Sequence, residues 1–288
     1  MKYKYCAYSP HHVTAFFSPK YTPGDTLTTG SIGAGIVVEP GVTACTGGET
    51  KIPTDTARKA LKLLNYKNGV YIREPLPVGV GYASSAATAI SASLAISVHT
   101  GSSITKSLQA AHIAEVELST GLGDVLAISC GVGIAVRIRP GAPGVGSVDC
   151  FQIPGSISIL SLEWGRMHTA RLIDALKGYS REAEKSLERL IEYMSFEVFI
   201  EEAERFSEAT KSHGILGRSR DIIKRTPGLI GFYTKKTVTI IFVEDNYIRD
   251  SIEYLANYKL IPRILEPSVS PPKVWVERIG DSKESSKV

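Results

Sequence analysis

The stretch Pro77-Val-Gly-Val-Gly-Tyr-Ala-Ser-Ser-Ala-Ala87 decides how the rest of the chain reads. A β-prone run, Val70-Tyr-Ile-Arg73, leads into it. Ala- and Ser-rich sequence from Ala86 to His99 leads out, with the small residues of a helix packed closely on a sheet. Gly79 and Gly81 let the backbone approach a ligand, and Ser84 or Ser85 is placed to cap the helix. Unpaired N–H groups and the positive end of the helix dipole then converge on one point, which suits a phosphate. The common phosphate fingerprints are absent. No Gly-Lys pair occurs, so there is no Walker A loop, and Ser84 stands where Gly-x-Gly-x-x-Gly needs its third glycine. The competing reading is a small-residue strand-to-helix turn in a packed core.

At 288 residues the chain is long enough for one domain or two closely packed ones. Its 43% hydrophobic and 22% charged residues are ordinary for a globular protein. The net charge of +4 is carried by dispersed basic residues, which argues against nucleic acid as a partner. Cys6, Cys45, Cys130 and Cys150 are far apart in sequence, with no Cys-x-x-Cys pair. The expectation is therefore neither a disulfide framework nor a zinc cluster, and a cytoplasmic location. No signal peptide is expected after Met1, and Ala86–Val98 is too short and serine-rich to span a membrane.

In chain order, Lys2–Tyr8 reads as a strand, followed by the proline-bracketed segment Ser9-Pro-His-His-Val-Thr-Ala-Phe-Phe-Ser-Pro19. Thr28–Gly35 is a second Gly-rich turn, where Ser31 offers a hydroxyl and an N–H at an exposed bend. Thr54 is positioned to cap a helix reaching Asn65, and a further helix ends near Leu118. On that second helix His112 and Glu115 share a face. Ser119-Thr-Gly-Leu-Gly-Asp124 then terminates the helix and presents a carboxylate, whose structural alternative is a helix cap. Gly133–Arg139 alternates as a strand, ending in the turn Pro140–Gly144.

The opening stretch resembles the second motif of the GHMP kinases, the galactokinase, homoserine, mevalonate and phosphomevalonate kinase family, with Tyr82 and Ala83 in place of the usual Leu and Gly. Four further segments follow in the family's order: Pro10–Phe17, Thr29–Gly35, Glu115 with Thr120–Val125, and Arg137–Gly144. Together they are most similar to an archaeal branch that acts on pantoate. The resemblance implies an α+β fold of the GHMP two-layer type, its N-terminal half (1–153) ribosomal-protein-like and its C-terminal half (154–280) ferredoxin-like, with a disordered tail at 281–288. It implies transfer of the ATP γ-phosphoryl group to the 4-hydroxyl of (R)-pantoate, on a route to coenzyme A, with the product passed to a phosphopantothenate synthetase. ATP and Mg²⁺ are the expected cofactors, no membrane is involved, and a homodimer is left open.

By that resemblance Pro77, Gly79, Gly81, Ala83, Ser84, Ser85 and Ala86 hold the ATP phosphates, and Ser85 with Glu115 ligates Mg²⁺. Asp124 is the catalytic base, His12 stands near the transferring phosphoryl group where the family has lysine, and Ser31 and His112 bind substrate. Arg137 is the first choice for the acceptor's carboxylate, because a guanidinium reads that group bidentately. The C-terminal half reads as mixed strands and helices, and the family's third Gly-rich motif is sought near Ser212-His-Gly-Ile-Leu-Gly-Arg218. Two other readings are a kinase for another small alcohol of the homoserine, mevalonate or shikimate type, and a non-catalytic sensor on the same fold.

Overall fold

The structure, a computed structural model, describes residues 2–47, 49–166 and 177–279. A helix expected at 169–177, apart from its last residue, and the tail at 281–288 lie outside them. The strands are β1 (Lys2–Lys20), β2 (Gly30–Thr46), β3 (Val70–Arg73), β4 (Ile134–Arg139), β5 (Ser147–Phe151), β6 (Ile157–Glu163), β7 (Leu229–Lys235), β8 (Val238–Glu244), β9 (Arg263–Pro267) and β10 (Lys273–Ile279). The principal helices are α1 (Asp55–Leu63), α2 (Ser84–Ala95), α3 (Ile104–Glu117), α4 (Asp124–Cys130), α5 (Ser180–Tyr193), α6 (Phe196–Ala209) and α7 (Ile248–Asn257).

The strands run in the order β10-β1-β2-β9-β6-β8-β7, with β3 and β4 also on β2 and β5 on β4, and the pairings between them are antiparallel. The proline-bracketed segment after Tyr8 continues the opening strand: β1 runs through it, with register shifts between Ser9 and His11 and between Thr14 and Phe16. Such irregularities bend a strand and re-aim its side chains. Between them His12 and Thr14, two residues apart, project to one face. The last strand, β10, returns from the far end of the chain to pair with β1.

Helix α2 is buried on nearly every side, among β1, β2, α1 and α3. Its run of Ala and Ser makes that close approach feasible, since longer side chains would hold the neighbours apart. A second core joins the halves: Phe16, Val13 and Ile36 pack with Phe199, Tyr233 and Phe242. Tyr233 also donates its hydroxyl to the Val13 carbonyl at 2.9 Å.

The cysteine expectation is overturned. Cys6 pairs with Cys45 and Cys130 with Cys150, and no described cysteine is free. Separation in sequence misled, because antiparallel pairing places Cys6 directly opposite Cys45, 39 residues away. No described helix is long and apolar enough to cross a membrane.

Candidate active site

The segment from Gly79 to Ala86 forms one wall of a cleft. Ala83, at φ 54° and ψ 31°, is the N-cap of α2; no side chain caps the helix, and its first turn has no acidic residue. The expected serine cap is therefore absent, which leaves the first-turn N–H groups to a ligand and strengthens the case for an anion site. Ser84 is the first helical residue, and its buried Oγ has no hydrogen-bond partner among the described residues. Ser85 is half-buried and faces the cleft. Pro77 precedes the wall without forming part of it.

The loop is anchored from both halves of the chain. The Tyr82 carbonyl accepts from His12 N–H at 3.2 Å, and the Tyr82 hydroxyl reaches Ser161 Oγ at 2.9 Å and Glu163 Oε1 at 3.0 Å. Upstream, Glu74 Oε1 accepts from Leu76 N–H and lies 2.9 Å from His11 Nε2, while His11 Nδ1 meets the Pro40 carbonyl at 2.7 Å.

The turn Thr120–Asp124 forms the opposite wall. His12 Nδ1 lies 2.8 Å from Asp124 Oδ1, and Thr14 Oγ1 donates to the same oxygen at 3.3 Å. Burial outweighs the attraction of Asp124 and holds the His12 pKa down at about 4, so the ring is neutral and donates its Nδ1 proton to the carboxylate. Burial by itself would raise the Asp124 pKa; the His12 hydrogen bond and the nearby cations Lys235 and Arg137 reverse this and keep it ionised.

Glu115 lies beneath that turn, 1% exposed, rather than on the cleft wall. Its carboxyl accepts from the backbone N–H groups of Val125 and Asp124, and burial followed by the Asp124 charge pushes its pKa well up. Its Oε2 has no hydrogen-bond partner among the described residues. Gly121 is what lets the turn close over it: a Cβ there would stand 2.2 Å from Glu115 Oε1 and 2.9 Å from Asp124 Oδ2.

Arg137 crosses from β4, 1% exposed, and reaches the cleft. Its Nη1 is 3.4 Å from His12 Nε2, and its Nε is buried without a partner among the described residues. A Cβ on Gly123 would come 2.5 Å from Ser31 Oγ and 3.0 Å from Arg137 Nε, so the missing side chain brings those two groups to the turn. Ser31 lines the cleft from within β2, not from an exposed bend. His112 does not line it. Its Nε2 donates to the Thr26 and Thr29 carbonyls at 3.1 and 3.0 Å, which ties the Ser31 segment to α3.

Two lining residues, Lys235 and Lys236, were not anticipated. They lie at the turn between β7 and β8, whose Thr237 donates to the Val80 carbonyl through N–H at 3.2 Å and Oγ1 at 3.0 Å. The segment Ser212–Arg218, where the third motif was sought, does not line the cleft; its His213 lines a separate depression with Glu204 and Lys224. The signal that could have found these two lysines is Lys236-Thr237 between two β-prone runs, a hairpin spacing.

Mg²⁺ takes oxygen ligands and keeps much of its water, so a carboxylate and a hydroxyl can suffice. The unpartnered buried oxygens of Glu115 and Ser84 fit such an ion, although the described residues contain no cluster of three His, Cys, Asp or Glu suited to a metal.

An uncapped helix end, an ionised aspartate and a buried guanidinium around one cleft, with a second acid beneath it, are the outfit of a phosphoryl transferase whose acceptor is a small anion. Residues 54–132 match the family described as GHMP kinases N terminal domain, and the chain is similar to ATP-dependent small-molecule kinases of that family. It is 29% identical to the pantoate kinase of Thermococcus kodakarensis over 94% of this chain and 98% of the relative. A solved structure named "Phosphotransferase related to CoA biosynthesis pathway" superposes with a TM-score of 0.81 at 26% identity, covering 94% of this chain and 98% of that one. The mevalonate kinase of Methanococcus jannaschii shares the fold, with a TM-score of 0.64 at 15% identity over 92% and 98% of the two chains.

Proposed function

We propose that this chain phosphorylates the 4-hydroxyl of (R)-pantoate with ATP, giving 4-phosphopantoate for coenzyme A synthesis. The observation that carries the reading is Arg137, a buried guanidinium whose Nε is unpaired among the described residues, in the same cleft as the uncapped helix end and Asp124. A buried unpaired N–H is costly, and an acceptor carrying both a carboxylate and a hydroxyl would satisfy it. Full-length similarity to a pantoate kinase supports the same acceptor.

The N–H groups at the start of α2 bind and orient the ATP phosphates. Glu115 with the hydroxyls of Ser84 and Ser85 would hold Mg²⁺, which would supply charge neutralisation for the transferring phosphates. Arg137 and Ser31 bind the pantoate carboxylate. The Oδ2 of Asp124 accepts the hydrogen bond of the 4-hydroxyl, with Oδ1 fixed by His12 and Thr14. A carboxylate of low pKa is a weak base toward an alcohol; it orients the oxygen and takes the proton as the bond to phosphorus forms. His12 and His112 serve from behind, steadying Asp124 and the Ser31 segment.

We place the reaction in the cytoplasm, where ATP is made. The test is ADP release with (R)-pantoate set against homoserine, mevalonate and shikimate. Turnover with pantoate and none with the others is expected; preference for another alcohol, or no turnover with any, sinks the proposal.

A further inference from the structure

Lys235 reaches the cleft through the hairpin that backs the phosphate loop. Thr237 locks that hairpin to Val80, and its Oγ1 also meets the Gly165 carbonyl at 2.7 Å. The contact is tight: a Cβ on Gly81 would stand 2.8 Å from Val238 Cγ1 and 3.0 Å from the Lys235 carbonyl oxygen. The Lys235 side chain then extends over Phe17 of β1, with Nζ 4.1 Å from the ring centroid. Among the described residues the ammonium forms no ion pair. A half-buried cation resting on an aromatic face, without a carboxylate partner, is suited to an incoming anion.

The groups around it narrow that anion. Asp124 attracts the Lys235 charge, whereas Lys236 and Arg137 repel it. Three cations thus line the cleft with one carboxylate, that of Asp124. Arg137, beside Ser31 and Gly123, is already suited to the acceptor's carboxylate. Lys235 differs: its backbone abuts the loop that would hold the phosphates, and its charge bears on the carboxylate that would hold the hydroxyl. An amine bridging those two features lies on the route of the transferred group.

We propose that Lys235 is a catalytic residue that binds the phosphoryl group in transit. The assignment rests on reading the cleft as an ATP-dependent pantoate kinase site. In the step itself the acceptor oxygen forms a bond to the γ-phosphorus while the bond to the β–γ bridging oxygen breaks. The bond's electron pair leaves with ADP, and the hydroxyl proton passes to Asp124. The Lys235 ammonium offsets negative charge on the equatorial phosphoryl oxygens, as the cationic fingers of other phosphoryl-transfer enzymes do.

The experiment compares wild type with Lys235→Met, which keeps the stem over Phe17 without the charge, and Lys235→Arg, which keeps the charge. ADP release is followed against pantoate and ATP concentration and against pH, with thermal melts of each protein. Lys235→Met is expected to melt like wild type and to lose about 10²–10³ in kcat with KM for pantoate within about threefold. Lys235→Arg should recover at least a tenth of the wild-type kcat. Burial brings the wild-type amine down to about 7, so kcat/KM should decline above that pH, and the arginine variant should lack the decline. A Lys235→Met kcat within threefold of wild type overturns the assignment, as does a loss confined to KM for pantoate. Wild type inactive on pantoate overturns the reading of the cleft along with it; an active wild type with an active methionine variant overturns Lys235 alone.

Discussion

His12 Nδ1 and Asp124 Oδ1 lie 2.8 Å apart although 112 residues separate them in the chain. The neutral ring donates to one carboxylate oxygen and leaves the other toward the cleft. Asp124→Asn should lower kcat by about 10²–10⁴ with the ATP dissociation constant within threefold, since the lost function is in the transfer step. His12→Ala should cost less in kcat, about 10-fold, because the carboxylate survives but is no longer held. Steady-state kinetics and nucleotide titration of both variants check this, and near-normal turnover in Asp124→Asn removes the aspartate from the mechanism.

The same histidine sets an acid limit on stability. Its folded pKa is about 4 against an ordinary 6.5, so above pH 6.5 it is neutral in both folded and unfolded chains and contributes nothing. As pH falls from 6.5 to 4 the unfolded chain takes up a proton that folded His12 refuses, and stability should drop by about 3 kcal/mol at most. His213, also held at about 4 by burial, adds a penalty of the same sign. Denaturant melts across this range should show a shallower decline in His12→Gln than in wild type; an equal slope in both would contradict the assignment.

Arg137 is expected to govern the acceptor more than the nucleotide. Arg137→Lys, which keeps a charge but loses the planar fork, should raise KM for pantoate about 10-fold or more with KM for ATP within threefold. A parallel rise in both constants would mean that the guanidinium supports the cleft generally.

Gly121 is a position where one methyl group should matter. The Cβ of Gly121→Ala would press on both Glu115 and Asp124, so the turn must move or the acids must part. Activity should fall by at least about 100-fold, with a stability loss of roughly 1–3 kcal/mol, read from kinetics and urea melts.

Ala83 should respond in the opposite direction. It occupies the left-handed region at φ 54°, which costs a residue with a Cβ about 1–2 kcal/mol and glycine almost nothing. Part of that gain is offset by the freer unfolded chain, so Ala83→Gly is expected to stabilise by about 0.5–1 kcal/mol in urea melts. A destabilised variant would show that the methyl group contributes packing instead.

What local sequence could express was legible before any coordinates. The glycines before Ser84-Ser85, the helix start after them, the cap at Thr54, and the turn presenting Asp124 depend on a few adjacent residues, and the structure has each of these elements. The serine cap did not form because Ala83, not serine, occupies the N-cap position. Long-range relationships were illegible. Strand register joined Cys6 to Cys45, the irregularities in β1 turned His12 and Thr14 toward Asp124, and the β7–β8 hairpin carried Lys235 over Phe17. Backbone preference acts within a turn or two of the chain, so it specified the loop and the acid-bearing turn. Which distant side chains share one cleft depended on sheet pairing and core packing, and only the tertiary structure decided it.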